Sequence, residues 1–116
     1  MKLTHEVSII QNVIEIVTQK AIENKLTKIN KVSLRIGELS GVMPESLNFA
    51  FENCIQGTML EEATLGIENV SALGQCQDCN LEFPIEHFNK LCPTCNRFCT
   101  SVVCGYELYV NTIEGD

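Results

Sequence analysis

Cys76, Cys79, Cys92 and Cys95 stand as C-x2-C, a gap of twelve residues, then C-x2-C. Each C-x2-C pair folds as a tight turn that aims two thiolates at one ion, and two such turns together complete the tetrahedral S4 shell that zinc prefers. Isolated core cysteines, a disulfide framework or one redox-active C-x-x-C each explain only part of the set. The gap is shorter than the usual ribbon spacing, which predicts a compact pair of knuckles. Iron would satisfy the same four thiolates. Gln75, Asp78 and Glu82 read as solvent-facing rather than as the apolar cover of an electron-transfer centre, which favours zinc.

The other reactive side chains have plainer readings. Cys54 shares a helical face with Leu47, Ala50 and Phe51 and reads as a small core residue. Cys99 and Cys104 follow the ligand set and read as thiols beside it rather than as spare ligands or a redox pair, because tetrahedral zinc is already saturated. His87, inside the twelve-residue loop, reads as a solvated imidazole, with a supporting or substitute-ligand role as the alternative. Glu61-Glu62 reads as a solvated charge pair, since no histidine or buried carboxylate is tied to it by spacing. Gly37 to Gly41 is not a G-x-S-x-G nucleophile elbow, and the chain has no phosphate-binding glycine loop. No catalytic constellation assembles.

The elements that must position these groups follow from periodicity. From His5 to Asn24, Ile10, Val13, Ile14, Val17 and Ala21 recur at helical spacing, with Thr4 at the expected N-cap and Glu6 facing the positive end of the dipole. Asn24-Lys25 suits the helix end. Lys31 to Ile36 alternates Val32, Leu34 and Ile36 against Lys31, Ser33 and Arg35, a half-buried strand. After the turn Gly37 to Gly41, Pro44 opens a second helix striped by Leu47, Ala50, Phe51, Cys54 and Ile55, and Gly57 stops it. Leu65 to Val70 is a second strand. Tyr106, Leu108 and Val110 alternate with Glu107, Tyr109 and Asn111 as a third.

This order predicts an α/β fold of two helices on a small mixed three-stranded sheet, with the four-cysteine zinc lobe inserted between the second and third strands. Residues 1–73 and 103–116 form the discontinuous α/β domain and 74–102 the lobe. Gly74 and Gly105 flank the stems. So small a lobe cannot bury enough apolar surface to stand alone, whereas structural zinc supplies on the order of 10 to 16 kcal/mol in comparable peptides. Metal removal is expected to unfold it first.

At 116 residues and 45% hydrophobic content, the chain supports one modest core plus this appendage. There is no run of apolar residues long enough to span a bilayer, and Glu6 would interrupt the apolar part of a signal peptide, so the expected location is cytoplasmic and no membrane partner is expected. In a reducing compartment seven cysteines argue for metal ligation and free thiols. The formal charge of −7 makes a poor nucleic-acid binder, and four metal-bound thiolates carry it to about −9.

A family resemblance rests on His5-Glu6-Val7-Ser8, Ile36-Gly37-Glu38-Leu39-Ser40, Pro44-Glu45-Ser46-Leu47, Gly57-Thr58, the pair Cys76-x2-Cys79 with Cys92-Pro93-Thr94-Cys95, and Gly105-Tyr106-Glu107-Leu108. In register from residue 5 to the C-terminus, the chain resembles the HypA/HybF hydrogenase-maturation nickel chaperones. The resemblance implies a non-enzymatic metallochaperone with a small nickel-binding α/β domain and a tetrahedral zinc lobe. It implies Ni2+ as cargo for the large-subunit precursor of nickel-iron hydrogenase, delivered with a hydrogenase-maturation GTPase (HypB-like), and urease as a second client in some members. It carries the nickel-binding roles over to His5 and Glu6, and places the GTPase contact near them. Glu6 and Glu38 are there expected as exposed charges that steer docking.

One departure bears on the chemistry. The family pattern starts Met-His-Glu, so that the terminal amine, main-chain amides and imidazole surround the ion together. Here Lys2, Leu3 and Thr4 separate Met1 from His5. Ni2+ favours a square-planar nitrogen set, and an amine-anchored chelate helps ionise the next amide, so an internal His-Glu makes a weaker site. Two readings from other classes compete: a zinc-ribbon adaptor that binds protein or nucleic acid through the lobe, and a thiol oxidoreductase using Cys92 and Cys95.

Overall fold

The computed structural model describes residues 3–99 and 101–116, the first three of these by their backbone alone. Helix α1 spans Leu3–Glu23. It begins one residue before Thr4, so Thr4 lies in its first turn and not at the expected cap. Its buried stripe is Glu6, Ile10, Val13, Val17 and Ala21, the i, i+3, i+4 pattern of a helix with one face on a core. The helix ends in a left-handed residue, Lys25 at φ 62°. The N–H of Leu26 reaches the Ala21 carbonyl at 2.8 Å and that of Lys25 reaches Ile22 at 3.0 Å. This is a Schellman stop built on lysine instead of glycine.

Strand β1 (Ile29–Gly37) buries Ile29, Val32, Leu34 and Ile36. Helix α2 (Pro44–Cys54) starts on Pro44, whose missing N–H is no loss in a first turn, and buries Leu47, Ala50 and Phe51. The two helices pack on each other. Strand β2 (Thr64–Val70) and the C-terminal strand described below complete a mixed three-stranded sheet. The N–H of Ile29 meets the Met59 carbonyl at one end of β1, and that of Glu38 meets Val70 at the other, so β2 runs parallel to β1 through the α2 crossover.

Three short strands follow: β3 (Leu73–Gln75), β4 (Glu82–Pro84) and β5 (Ser101–Cys104). They form a second, antiparallel sheet in the order β4-β3-β5, with Gly74 opposite Phe83 on one side and Val102 on the other. Strand β6 (Leu108–Gly115) returns to the first sheet beside β1. Asp116 N–H bonds the Lys28 carbonyl and Gly37 N–H bonds Glu107, so β6 is antiparallel to β1. Tyr106 and Leu108, expected to alternate inward, are exposed: Tyr106 precedes β6, and Leu108 is its first residue.

The chain divides into two compact units, one made of residues up to Leu34, Val42–Glu68 and Tyr109–Asp116, the other of Arg35–Gly41 and Asn69–Leu108. The second has its own small core of Leu39, Ala72, Cys76, Phe83, Ile85, Cys92 and Cys99. Among the described residues, no helix is long and apolar enough to cross a membrane.

Candidate metal centre

The two C-x2-C segments fold as the same structure twice. Cys76 N–H bonds the Leu81 carbonyl at 2.9 Å, and Cys92 N–H bonds Arg97 at 2.9 Å. Asn80 N–H returns to the Cys76 carbonyl at 2.9 Å, and Asn96 N–H to Cys92 at 2.8 Å. Each turn closes on an asparagine in the left-handed region, Asn80 at φ 57° and Asn96 at φ 63°, a conformation asparagine tolerates better than most residues. The result is an internal repeat, Cys76-x2-Cys79-Asn80-x2-Phe83 and Cys92-x2-Cys95-Asn96-x2-Cys99.

The repeat aims backbone dipoles at sulfur. The N–H groups of Cys79 and Asp78 point at Cys76 Sγ, those of Cys95 and Thr94 at Cys92 Sγ, that of Leu81 at Cys79 and that of Arg97 at Cys95. Hydrogen bonds to a thiolate favour its charged form. The amide of Cys95 leads in drawing the Cys92 thiol down to about 6, and that of Cys79, aided by the Cys95 thiol, lowers Cys76. Cys95 receives help from the Arg97 amide, but its neighbours Cys76 and Cys92, with burial, outweigh it and push the thiol up to about 12. For Cys79 the Leu81 amide is likewise outweighed, by Cys76, burial and Cys92, and the thiol is raised. Four sulfurs crowded together cannot all ionise unaided, and a divalent cation removes that conflict.

The four ligand atoms lie within 4.8 Å of one another. Cys76 and Cys95 Sγ are 3.3 Å apart and Cys79 and Cys92 Sγ 3.6 Å apart. Metal–sulfur bonds of about 2.3 Å in a tetrahedron require edges of about 3.8 Å, so the donor set and its spacing fit one four-coordinate ion. Cys76 and Cys92 are buried, Cys95 is half-buried and Cys79 faces solvent. An exposed ion pair, Arg97 Nε to Asp78 Oδ2 at 3.4 Å, links the two knuckles.

The remaining cysteines stay outside the sulfur cluster. Cys54 is half-buried on α2, and Cys104 donates to the Ser71 carbonyl at 3.3 Å. Cys99 is fully enclosed and donates to main-chain carbonyls. His87 is exposed at the tip of a hairpin whose central residues, His87 and Phe88, have φ 53° and 63°, the signature of a type I′ turn. Glu61 accepts the Gly57 N–H at 3.3 Å while Glu62 pairs with Lys28 at 2.7 Å. The two carboxylates therefore serve separate partners.

At the other candidate site, the side chain of His5 lies outside the described residues. Glu6 is 1% exposed, in the buried stripe of α1, and its Oε1 meets no hydrogen-bond donor among the described residues. The expectation that Glu6 is an exposed docking charge is thus overturned: residue 6 falls one turn before Ile10 on the face that packs inward. Glu38 is exposed as expected, though its Oε1 accepts the Ala72 N–H at 2.8 Å. A helical stripe read from apolar residues alone stops at Ile10, and continuing its i, i+4 step would have found Glu6.

Comparison with known proteins agrees with this construction. The family described as "Hydrogenase/urease nickel incorporation, metallochaperone, hypA" matches residues 4–115. A hydrogenase maturation factor HypA from Geobacter sp. strain M21 is 49% identical over 110 residues, covering 95% of this chain and 97% of that protein. The one from Geotalea uraniireducens strain Rf4 is 46% identical over the same shares. In fold, the solution structure of the Ni metallochaperone HypA from Helicobacter pylori aligns with a TM-score of 0.68 at 24% identity, over 95% of this chain and 96% of that one. A second HypA solution structure aligns at 0.71 with 24% identity, over 97% and 96%. With one family matched almost end to end and relatives near half identical over 97% of their lengths, the chain belongs to the HypA family of hydrogenase-maturation metallochaperones.

Proposed function

We propose that this chain is a nickel metallochaperone, not an enzyme, which binds Ni2+ near its N-terminus and hands it to the large-subunit precursor of nickel-iron hydrogenase with a HypB-like GTPase, in the cytoplasm. Urease is a further client of the same chemistry. Residues 1–73 and 103–116 act as the nickel-binding domain and 74–102 as a lobe held by structural Zn2+ on Cys76, Cys79, Cys92 and Cys95. The four thiolates fill a tetrahedral shell and leave no position for a substrate water, which suits a structural ion.

For nickel, the His5 imidazole is the indispensable ligand, with the amides of His5 and Glu6 as further nitrogen donors. Helix α1 starts at Leu3, so the His5 amide falls among the first N–H groups of the helix, which have no intrahelical partner. The observation that carries the reading most directly is Glu6. A carboxylate oxygen buried without a donor is costly, and a cation bound one residue away compensates Glu6 Oε1. The Glu6 carboxylate then orients or receives the ion.

The role is tested by expressing the chain in a bacterium deleted for its own homologue and measuring hydrogenase activity at low nickel. Restored activity, lost again with His5→Ala, supports it. Restoration by the His5→Ala chain to the same level contradicts nickel handling at this site.

A further inference from the structure

We propose that Cys99, a fifth buried cysteine that is no ligand, is the positioning residue that fastens the two knuckles together and sets how firmly the four thiolates keep their ion. It rests on the four-thiolate reading above. Its main chain belongs to the second knuckle, where Cys99 N–H bonds the Lys90 carbonyl at 2.8 Å, two residues before Cys92. Its side chain reaches the first. Cys99 Sγ lies 2.9 Å from the carbonyl oxygen of Gln75, the residue preceding Cys76, and 2.8 Å from that of Ser101. The single S–H is shared between the two carbonyls, and Sγ lies outside the four-sulfur cluster.

The internal repeat explains the position. Cys99 is the counterpart of Phe83, and the two converge over Gly74, where an added Cβ would lie 3.2 Å from Cys99 Sγ and 3.2 Å from Phe83 Cζ. One knuckle thus ends in an aromatic ring packed on β3 and the other in a thiol hydrogen-bonded to β3. Without that bond, Gln75 and hence Cys76 would be held to the second knuckle only by the exposed Arg97–Asp78 pair and by the β3–β5 pairing beyond Cys99. Groups that orient metal ligands without touching the ion typically change metal affinity 10- to 100-fold when removed.

The test follows the transfer of zinc from the full chain to a chromogenic chelator, for the parent and for Cys99→Ala, Cys99→Val and Cys99→Ser. The same four proteins loaded with cobalt report the ligand set by their sulfur-to-cobalt absorption. All four are expected to hold one ion with the spectrum of four sulfurs. Cys99→Ala and Cys99→Val are expected to surrender zinc about tenfold faster, while Cys99→Ser, which keeps a donor, stays within about twofold of the parent. Equal rates for all four overturn the proposal, as does a Cys99→Val protein as slow as the parent, which would make the residue mere packing. A three-sulfur spectrum for Cys99→Ala overturns it by making Cys99 a ligand. A parent chain that takes up neither zinc nor cobalt overturns the four-thiolate reading itself.

Discussion

Gly37 and Gly105 approach so closely that a Cβ on Gly37 would fall on the Gly105 carbonyl group. Two hydrogen bonds hold the segments at that separation: Gly37 N–H to the Glu107 carbonyl and Leu39 N–H to the Gly105 carbonyl, both at 2.6 Å. Glu107 Oε1 then accepts the Gly105 N–H at 2.8 Å, and Gly105 itself has φ 131°, a conformation open to glycine. Gly37-Glu38-Leu39 and Gly105-Tyr106-Glu107, two motifs that read separately along the chain, are one backbone junction.

Replacing Gly37 by Ala forces main chain against main chain and is expected to lower stability by about 1–3 kcal/mol. Gly66→Ala is the control. There the new methyl meets the Lys31 Cε at 3.2 Å, the movable end of a side chain, and stability stays within about 0.5 kcal/mol of the parent. Denaturant unfolding of both variants measures the difference. A Gly37→Ala protein as stable as Gly66→Ala contradicts the close approach.

Zinc affinity is expected to rise with pH, because every ligand must lose its proton to bind. The Cys92 thiol, depressed from 9.0 to about 6, is already ionised at neutral pH, whereas Cys95, raised to about 12, still holds its proton there. Binding at pH 7 to 8 therefore releases protons from Cys95 and Cys79, the two thiols whose pKa is raised. As pH falls through about 6, Cys92 must also be deprotonated, and the slope of log affinity against pH steepens by about one proton. Competition titrations with a chelator of known proton dependence read that slope. A constant slope from pH 5 to 8 would refute the assignment of Cys92 as the ionised member.

The Arg97–Asp78 pair joins the knuckles across solvent and should contribute little. Asp78→Ala is expected to change stability by less than about 1 kcal/mol, and any effect should vanish at high salt. Cys79→Ser, by contrast, should release zinc and unfold the lobe while the two-helix unit keeps its helical circular dichroism. Full zinc occupancy in Cys79→Ser would remove Cys79 from the shell.

The metal cluster is legible in the sequence because ligand spacing survives without knowledge of the fold: Cys76, Cys79, Cys92 and Cys95 converge as their C-x2-C pairs imply. The helices and β1 are legible because long elements repeat their pattern. Strands β3, β4 and β5, of three, three and four residues, are too short to show an alternation. Their register is set by Gly74 and by the knuckles. The burial of Glu6 is hidden for another reason. A carboxylate at a helix start reads as a solvated partner of the dipole, and only the stripe of α1 continued one i, i+4 step back from Ile10 turns it inward.

The nickel site is most directly tested by titrating Ni2+ into the zinc-loaded chain by calorimetry and absorption, alongside His5→Ala and a chain lacking Lys2 to Thr4. The parent is expected to bind one Ni2+ with a square-planar spectrum, release protons, and weaken below about pH 6.5 as the imidazole protonates. His5→Ala is expected to lose that ion while keeping zinc, and the deletion, by restoring Met-His-Glu, to bind it more tightly. Nickel bound by His5→Ala with the parent's affinity and geometry would contradict the account at its centre.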